Sequence, residues 1–417
     1  MMSSEGDEHL CRFAWGIVAD DLTGAGDCAV KFADAGWQVE LNFGGRVDAL
    51  APAAAVAMTT DVRPLSETDA STRTAAAVTE LIRAGAERLY LKIDSTLRGS
   101  VRGQISGALA AWTTVEPGAF AVVCPAYPAM GRTVVNGELF VYDLASGVGD
   151  AAAGDGVLTL RLSGASPEED LQQVREAAQR SRVLFIDAAV DADLDRLAVV
   201  LERLGRVALP VGSAGLAGAI VRRATTTGDQ GVSPQAGAAS ASAPAPAPAV
   251  LTASSERPPI ASPTPTSTLV AVSSRHPITT AQVDVLVSQL GDDSRVRLVT
   301  TPADRLELDD DAVAARLVAD RLAADVERLL VDEPVGSLVL VGGDGALAVL
   351  ERLGVASVRV HGSAAEGVPL GVVHGGPLDG VRVVTKSGGF GESTTLHELV
   401  RGLIGASTQL TTEQDRP

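Results

Sequence analysis

The feature that most constrains this chain is a repeated alternation of short β-branched segments with alanine- and leucine-rich amphipathic segments. In the first half, candidate strands cover residues 13–19, 39–43, 54–58, 88–93, 119–123, 183–187 and 207–211. The helical pattern over residues 69–85 is typical of the segments between them. Strands that alternate with helices in this way predict a mainly parallel sheet with helices on both faces. We therefore predict an α/β fold.

The alternation stops at residues 225–267, where alanine, proline, serine and threonine dominate and charges are few. Such a segment cannot form a core and predicts a disordered linker, with a docking motif for proline-binding modules as the weaker alternative. Strand patterns then return at residues 268–274, 295–300 and 336–343, and helical patterns at residues 278–290 and 310–330. The sequence thus predicts two α/β lobes with mainly parallel sheets, at residues 12–224 and 268–406, and an active site in the interlobe cleft.

Composition narrows the functional classes before any motif is considered. The 417 residues carry a net charge of −18, and 46% are hydrophobic although only 3% are aromatic. Nucleic-acid backbones need basic patches, so this charge argues against nucleic acid as a partner. The first residues, MMSSEGDEHLCRF, lack the apolar core of a signal peptide, and no apolar run approaches the ~20 residues of a membrane span. We expect a cytoplasmic protein with no membrane partner, and the sequence is compatible with a homo-oligomer.

The spacing of cysteines and histidines predicts no metal site. The three cysteines, Cys11, Cys28 and Cys124, form no C-x-x-C pair, and the five histidines give no H-E-x-x-H motif. This pattern supports neither structural zinc nor a disulfide framework. Cys28 and Cys124 lie in apolar segments, so we predict that both are buried.

The segment IVADDLTGAGDCAVKFADAG, residues 17–36, joins an apolar strand to a helix through a glycine turn. Its glycines allow a dinucleotide site, in which backbone amides at a helix start bind a pyrophosphate. However, Asp20, Asp21 and Asp27 crowd this turn and would repel a pyrophosphate, and a lone glycine fingerprint is a weak signal. Adjacent acids at a strand end suit another role, because they accept hydrogen bonds from a polyhydroxy substrate or take a proton from a hydroxyl.

The same turn has two further interpretations. Asp21 or Thr23 is expected to cap the helix that starts near Gly24, which does not exclude a second role for the other acids. The letters G-A-G-D also occur in ribokinase-like sugar kinases, but those proteins carry them near the C-terminal end. Here they follow the first strand, so this likeness is superficial.

Two arginine-containing turns predict an anionic substrate. In KIDSTLRG, residues 92–99, a strand ends at Asp94 and Ser95, and Arg98 follows. In CPAYPAMGR, residues 124–132, two prolines fix the backbone before Arg132. Arginine binds carboxylates through paired hydrogen bonds, so an acidic small molecule fits both turns. A capped helix with solvated arginines also explains the first turn.

The second lobe contains two glycine-rich turns between a strand and a helix, VGGDGA and TKSGGFG. Their candidate residues are Gly342, Gly343, Asp344 and Gly345 in the first turn, and Lys386, Gly388 and Gly389 in the second. Turns of this kind bind phosphates through bare backbone amides at a helix start. Each alone is compatible with a structural turn. Two in one lobe, with Ser273 and Ser274 ending the lobe's first strand, favour a nucleotide site.

Taken together, six motifs in one order resemble the four-carbon acid sugar kinase family, which includes 3-oxo-tetronate, threonate and erythronate kinases. The motifs are ADDLTGAGD, KIDSTLRG, CPAYPAMGRTVVNG, GSAGLA, VGGDGA and TKSGGFG. The resemblance covers both lobes. It implies an N-terminal sugar-acid domain, a C-terminal nucleotide-binding domain, and transfer of phosphate from ATP with Mg²⁺ to the terminal (4-) hydroxyl of a four-carbon sugar acid in carbohydrate catabolism.

The resemblance also implies roles for the candidate residues. Asp20, Asp21 and Arg98 would be catalytic; Asp94, Ser95 and Arg132 would bind the sugar acid; and Ser273, Gly342, Gly343, Asp344, Gly345, Lys386, Gly388 and Gly389 would bind ATP. No residue is assigned as a metal ligand. The family commonly has threonine or a similar residue where this chain has Gly345, so a hydroxyl contact to ATP is lost there. Two alternatives stay open: an NAD(P)-dependent oxidoreductase that uses residues 17–40, and a non-catalytic sugar-acid-binding protein, which Gly345 favours.

Overall fold

The structure is a computed structural model, and it describes residues 14–43, 45–48, 54–142, 144–145, 156–226, 267–291, 293–301 and 311–413. The first thirteen residues, with Cys11, and the predicted linker from residue 227 to residue 266 lie outside the described residues. Within them, no helix is both long enough and apolar enough to cross a membrane.

The first half of the chain alternates strands and helices as the sequence predicts. Its strands are β1 (Trp15–Ala19), β2 (Gln38–Asn42), β3 (Ala54–Thr59), β4 (Arg88–Lys92), β5 (Phe120–Cys124), β6 (Arg132–Val135), β7 (Glu138–Val141), β8 (Leu144–Ala145), β9 (Val157–Leu160), β10 (Val183–Ile186) and β11 (Ala208–Gly212). Its helices are α1 (Leu22–Asp34), α2 (Glu67–Arg83), α3 (Val101–Trp112), α4 (Pro167–Ala178), α5 (Asp191–Leu204) and α6 (Ala214–Thr226). All seven strands predicted here are present, within one or two residues of their predicted bounds.

The second half continues the same pattern and adds a hairpin. Its strands are β12 (Thr268–Val272), β13 (Val296–Thr300), β14 (Ser337–Val341), β15 (Ser357–Ala365), β16 (Val368–His374) and β17 (Arg382–Lys386). Its helices are α7 (Pro277–Leu290), α8 (Asp311–Asp332), α9 (Gly343–Arg352) and α10 (Thr395–Glu413). The sequence did not predict the β15–β16 hairpin or the small antiparallel sheet of β6, β7 and β8.

The α/β class is confirmed, and the structure adds that the two parallel blocks belong to one sheet. Its fourteen described strands run in the order β13-β12-β14-β17-β16-β15-β2-β3-β1-β4-β11-β5-β10-β9. Strand β15 pairs antiparallel with β2, and β16 pairs antiparallel with both β15 and β17. The hairpin belongs to the second lobe and forms hydrogen bonds with β2 of the first lobe. It therefore connects the two lobes and reverses the strand direction between them.

Sheet twist explains how the two blocks come to share a cleft. Six strand-to-strand steps separate β1 from β14, and three of them are antiparallel, so the two strands run in opposite senses. A twist of roughly 20–25° per step amounts to about 120–150° over this distance, which nearly reverses the direction again. The carboxyl ends of both parallel blocks consequently face the same side of the molecule.

Small aliphatic residues form most of the core, as the low aromatic content requires. One buried cluster extends from the first lobe into the second, and three rings of it or packed against it meet at α1. Trp15 and Trp37 both meet Phe32 edge-on, at ring-centroid distances of 5.6 and 5.7 Å. Cys28 and Cys124 are fully buried, as predicted, and burial raises the pKa of each thiol to about 12.

Candidate active site

The end of β1 provides two carboxylates in different environments. Asp21 is the N-cap of α1, and its Oδ1 accepts a hydrogen bond of 2.7 Å from the Gly24 amide, which confirms the predicted cap. Asp20 is completely buried. Burial, and then the charge of Asp21, raise the pKa of Asp20 to about 6 despite the opposing charges of Lys92 and Arg63. Asp20 therefore holds a proton more readily than an exposed aspartate does.

Arg63 connects the acids of two strands, and the sequence reasoning missed it. Its Nη2 lies 2.8 Å from Asp20 Oδ2 and 3.4 Å from Asp94 Oδ1, and its Nη1 lies 2.9 Å from Asp21 Oδ2. Arg63 follows β3, a strand that the sequence predicted, and parallel strands present their carboxyl ends at one edge. An inspection of the residues after each predicted strand, and not only of glycine turns, could have found it.

Asp94 is held by a second arginine from its own turn. Arg98 donates from Nε to Asp94 Oδ2 at 3.0 Å and from Nη2 to Asp94 Oδ1 at 2.9 Å, and Thr96 also donates to Oδ2. Although burial acts in the opposite direction, these bonds and Arg63 hold the pKa of Asp94 well below its usual value. We call Asp20, Asp21, Asp94 and Arg63 the acidic edge. Ser95 lies half-buried beside it.

Tight backbone packing forms the opposite wall, at the ends of β12, β14 and β17. Gly342 has a φ of +104°, and a Cβ there would lie 2.4 Å from Ser273 Oγ. A Cβ at Gly388 would lie 1.8 Å from Ser274 Oγ, while Thr279 Oγ1 donates to the Gly388 carbonyl at 2.8 Å. Only glycine fits these positions, so the backbone itself forms the surface. We call the residues Ser273–Ser274, Gly342–Gly345 and Lys386–Gly389 the glycine edge.

Lys386 is the buried cation of the glycine edge. Its Nζ donates to the Ser387 carbonyl at 2.7 Å, and burial lowers its pKa to about 8. Among the described residues, no carboxylate forms a salt bridge or a hydrogen bond with Lys386. A buried ammonium without an anionic partner is poised to bind an anion.

The start of α1, which Asp21 of the acidic edge caps, meets the glycine edge in a cleft. It is lined by Leu22 and Thr23 of α1, Gly342, Gly343 and Ala346 at the start of α9, Gly367 and Pro369 of the hairpin, and Thr385, Lys386 and Ser387 at the end of β17. Two helix N-termini, those of α1 and α9, therefore open into one space with Lys386. This combination of helix N-termini and a cation favours a phosphate group.

Asp344 lies where the two edges approach each other. Its side chain is exposed next to Gly343, which lines the cleft, and partial desolvation, followed by the charges of Asp61 and Asp21, raises its pKa. The electrostatic effect of Asp21 on Asp344 places the predicted sugar-acid and nucleotide residues in one neighbourhood. No cluster of three or more metal-ligating side chains occurs among the described residues.

Two predicted residues occupy surroundings that the sequence did not reveal. The charge of Arg132, after those of Lys92 and Lys31, lowers the pKa of Asp27, and Arg132 Nη1 donates to the Met130 carbonyl at 3.4 Å. At Gly345, a Cβ would lie 2.3 Å from Ser273 Cβ. The expected threonine at this position would therefore displace Ser273, whose hydroxyl already fills that space.

Comparisons with known proteins agree with this two-part site. Residues 15–154 match the family described as "Sugar-binding N-terminal domain", and residues 292–396 match "Nucleotide-binding C-terminal domain". A D-threonate kinase of Bordetella bronchiseptica is 37% identical, over 91% of this chain and 95% of the relative. A 3-oxo-tetronate kinase of Methylobacterium radiotolerans is 28% identical, over 91% and 96%.

A solved structure shows the same fold. A Haemophilus influenzae protein is 20% identical, covers 93% of this chain and 100% of its own, and superimposes with a TM-score of 0.65. The chain is more than 30% identical to the Bordetella bronchiseptica kinase over nearly its whole length, and both domain families match. These findings lead to one family assignment. The chain belongs to the four-carbon acid sugar kinase family.

Proposed function

We propose that this protein transfers the γ-phosphoryl group of ATP to the terminal (4-) hydroxyl of a four-carbon sugar acid such as threonate, erythronate or a 3-oxo-tetronate. The observation that carries the proposal is a cleft where the starts of α1 and α9 meet Lys386, with the carboxylate- and arginine-rich acidic edge directly preceding α1. The names of the relatives, D-threonate kinase and 3-oxo-tetronate kinase, support this reaction and substrate class. A role in carbohydrate catabolism in the cytoplasm is part of the same proposal.

The acidic edge would bind the sugar acid. Arg63 and Arg98 are the cations beside it, and each can turn part of its guanidinium toward a substrate carboxylate. Asp20, Asp21 and Asp94 can accept hydrogen bonds from the hydroxyl groups, and Ser95 can add a hydroxyl contact. Asp20 and Asp21 thereby orient the substrate, and a proton-accepting role for either of them stays a prediction.

The glycine edge would bind ATP. Backbone amides at Gly342–Gly345, Gly388 and Gly389 and the side chain of Ser273 surround the phosphate path, and Lys386 supplies the positive charge. Phosphoryl transfer depends on positioning and charge neutralisation, which such a site provides. Mg²⁺ would neutralise charge on the ATP phosphates, and Asp344, an exposed carboxylate next to the cleft-lining Gly343, is the residue that would hold such an ion.

The two alternatives from the sequence lose support. A dinucleotide would place its pyrophosphate at the start of α1, where Asp21 already occupies the Gly24 amide and Asp20 lies beside it. The family assignment does not favour an oxidoreductase. A sugar-acid-binding protein without activity would not need Lys386 and a second helix N-terminus in the same cleft.

A coupled ADP-release assay with Mg-ATP tests the proposal directly. The panel contains D- and L-threonate, D- and L-erythronate, their 2-oxo and 3-oxo forms, and 4-hydroxy-L-threonine. We expect substrate-dependent ADP release with at least one acid, and a product whose phosphate is on the terminal carbon by NMR. A folded protein that binds ATP but releases no ADP with any acid would contradict the proposal and favour the binding protein. Titration with NADH, followed by cofactor fluorescence, would detect the oxidoreductase alternative.

A further inference from the structure

Asp27 is a buried carboxylate near the cleft to which the described residues provide no hydrogen bond or ion pair, whereas Asp20, whose Oδ1 is also unpaired, is bound through Oδ2 to Arg63. The Asp27 side chain is only 6% exposed, and its Oδ1 accepts no hydrogen bond within the described part of the chain. Asp21 and Asp94, by contrast, are held by Arg63 and by backbone or side-chain donors. Burial of an unsatisfied carboxylate is costly, so its retention points to use by a ligand.

The position of Asp27 in helix α1 brings its carboxylate close to the cleft. Asp27 follows Thr23 by one helical turn of α1, so both side chains lie on the same helix face. Thr23 Oγ1 lies 3.0 Å from the Cβ position of Gly343, and Asp27 Oδ1 lies 3.4 Å from the Cβ position of Gly367. Both glycines line the cleft. The Asp27 carboxylate therefore lies next to Gly367 at the edge of the cleft that Lys386 and the start of α9 also line.

Charged groups from several elements surround Asp27 without bonding to it. Burial raises its pKa most, while Lys92 of β4, Lys31 of α1 and Arg132 of β6 lower it, and Glu366 of the hairpin raises it again. Tyr127 also faces this group, and it is hydrogen-bonded to Lys31. A carboxylate in this setting is a stronger base than an exposed one and still has cations nearby to stabilise its charge.

We infer that Asp27 is the catalytic base of the phosphoryl transfer. This inference rests on the proposed function. The carboxylate accepts the proton of the terminal hydroxyl as the hydroxyl oxygen forms a bond to the γ-phosphorus and the bond to the β,γ-bridging oxygen breaks. ADP leaves with that bond's electron pair, and Asp27, now a carboxylic acid, returns its proton to solvent. Asp20 and Asp21, bound to Arg63, orient the substrate rather than deprotonate it.

The test compares two substitutions of aspartate by asparagine on the same helix. D27N removes the charge of Asp27 and preserves its shape, while D34N changes an exposed aspartate at the other end of α1. We expect kcat of D27N to fall at least ~100-fold, with unchanged Kd values for ATP and the sugar acid by calorimetry. We expect D34N to retain wild-type kcat. Because D27N removes a buried unpaired charge, its Tm should equal or exceed that of the wild type.

A pH profile separates a base from a structural residue. The wild-type kcat should rise with pH as the base loses its proton, and this rise should be absent from D27N, as no merely structural role predicts. If D27N does not fold, D27S is measured in the same way.

A D27N kcat within about threefold of wild type, an unchanged rise with pH, or a lowered Tm with lost ligand binding would overturn the inference. If D21N instead shows the loss of kcat and of the pH-dependent rise, the base is Asp21. Wild-type inactivity on the whole acid panel would show instead that the proposed function is wrong, and the inference would fall with it.

Discussion

The acidic edge and the glycine edge, to which we assign the sugar acid and ATP, are built in opposite ways. The acidic edge uses charged side chains that hold one another: Arg63 binds Asp20, Asp21 and Asp94 at 2.8 to 3.4 Å. The glycine edge uses the lack of side chains, because a Cβ at Gly342, Gly345 or Gly388 would collide with Ser273 or Ser274. One wall is organised by electrostatics and the other by steric fit.

The difference suggests how each wall responds to change. When the cation that several carboxylates share is removed, all of these carboxylates lose their charge partner at once. In a tightly packed backbone turn, an added side chain distorts that turn alone. A second substitution that makes the obstructing neighbour smaller should restore the turn and its ligand binding. Substitutions at the two edges should therefore differ in the size of their effects, in the ligand that they affect, and in whether a second substitution rescues them.

Removal of Arg63 should have the largest effect. R63M leaves three carboxylates without their shared cation, so we expect kcat/KM for the sugar acid to fall about 1,000-fold or more and the free energy of unfolding to fall by about 3 kcal/mol. Asp20, whose pKa is already about 6, should then hold its proton at neutral pH. Steady-state kinetics and urea unfolding measure the two effects.

The matched control is R102M, which changes an exposed arginine at the start of α3. It should leave kcat/KM within about twofold of wild type, as most exposed sites do. If R63M lowered the affinity for ATP and left that for the sugar acid unchanged, the assignment of the acidic edge to the sugar acid would be wrong.

Arg63 also marks the limit of what the sequence revealed at this edge. Asp20, Asp21 and Asp94 were predicted because each directly follows a strand that residue patterns identify. Arg63 is the fourth residue after β3, beyond Asp61, in a turn without glycine, and nothing local connects it to β1 or β4. Its three ion pairs arise from strand order, β3-β1-β4, which residue patterns do not encode.

The same reason explains why the β15–β16 hairpin was missed. The segment SVRVHGSAA alternates weakly, contains a glycine, and exposes much of one face, so its strand signal is poor. Its pairing with β2, more than 300 residues earlier in the chain, is a tertiary contact. The parallel blocks were predictable from periodicity, whereas the junction that brings their carboxyl ends to one side was not.

Substitution of Gly388 tests the steric wall. In G388A the new Cβ would lie 1.8 Å from Ser274 Oγ, so the turn must move. We expect kcat/KM for ATP to fall about 100-fold, with KM for the sugar acid unchanged. The double variant G388A/S274G removes the obstructing hydroxymethyl group and should recover most of the loss.

G405A is the control, because a Cβ there meets nothing within 4 Å in helix α10. It should preserve activity and add up to about 1 kcal/mol of stability, since alanine favours helix more than glycine does. Normal ATP kinetics in G388A would contradict the steric account. Equal losses in G388A and in the double variant would show that the backbone amide, rather than the clash, decides the effect.

The pKa of Lys386 predicts a smaller, pH-dependent effect at the same wall. Burial lowers this pKa to about 8, so the ammonium is charged below pH 8 and neutral above it. We expect kcat/KM for ATP in the free enzyme to fall as pH rises through 8, by about tenfold between pH 8 and pH 9.5. In K386R the guanidinium stays charged, so this decline should disappear. An unchanged decline in K386R would assign the titration to another group.

Gly345 should give the smallest effect, in the direction opposite to the one that the family resemblance suggests. Threonine would restore the expected hydroxyl, but its Cβ would lie 2.3 Å from Ser273 Cβ and 2.4 Å from Ser273 Oγ. Because Ser273 must move, we expect G345T to weaken ATP binding by about three- to tenfold rather than to strengthen it. In G345T/S273G the space is free again, and calorimetry should show wild-type affinity or better. Tighter binding by G345T alone would mean that the lost hydroxyl contact outweighs the steric fit, and that this wall is less rigid than its glycines indicate.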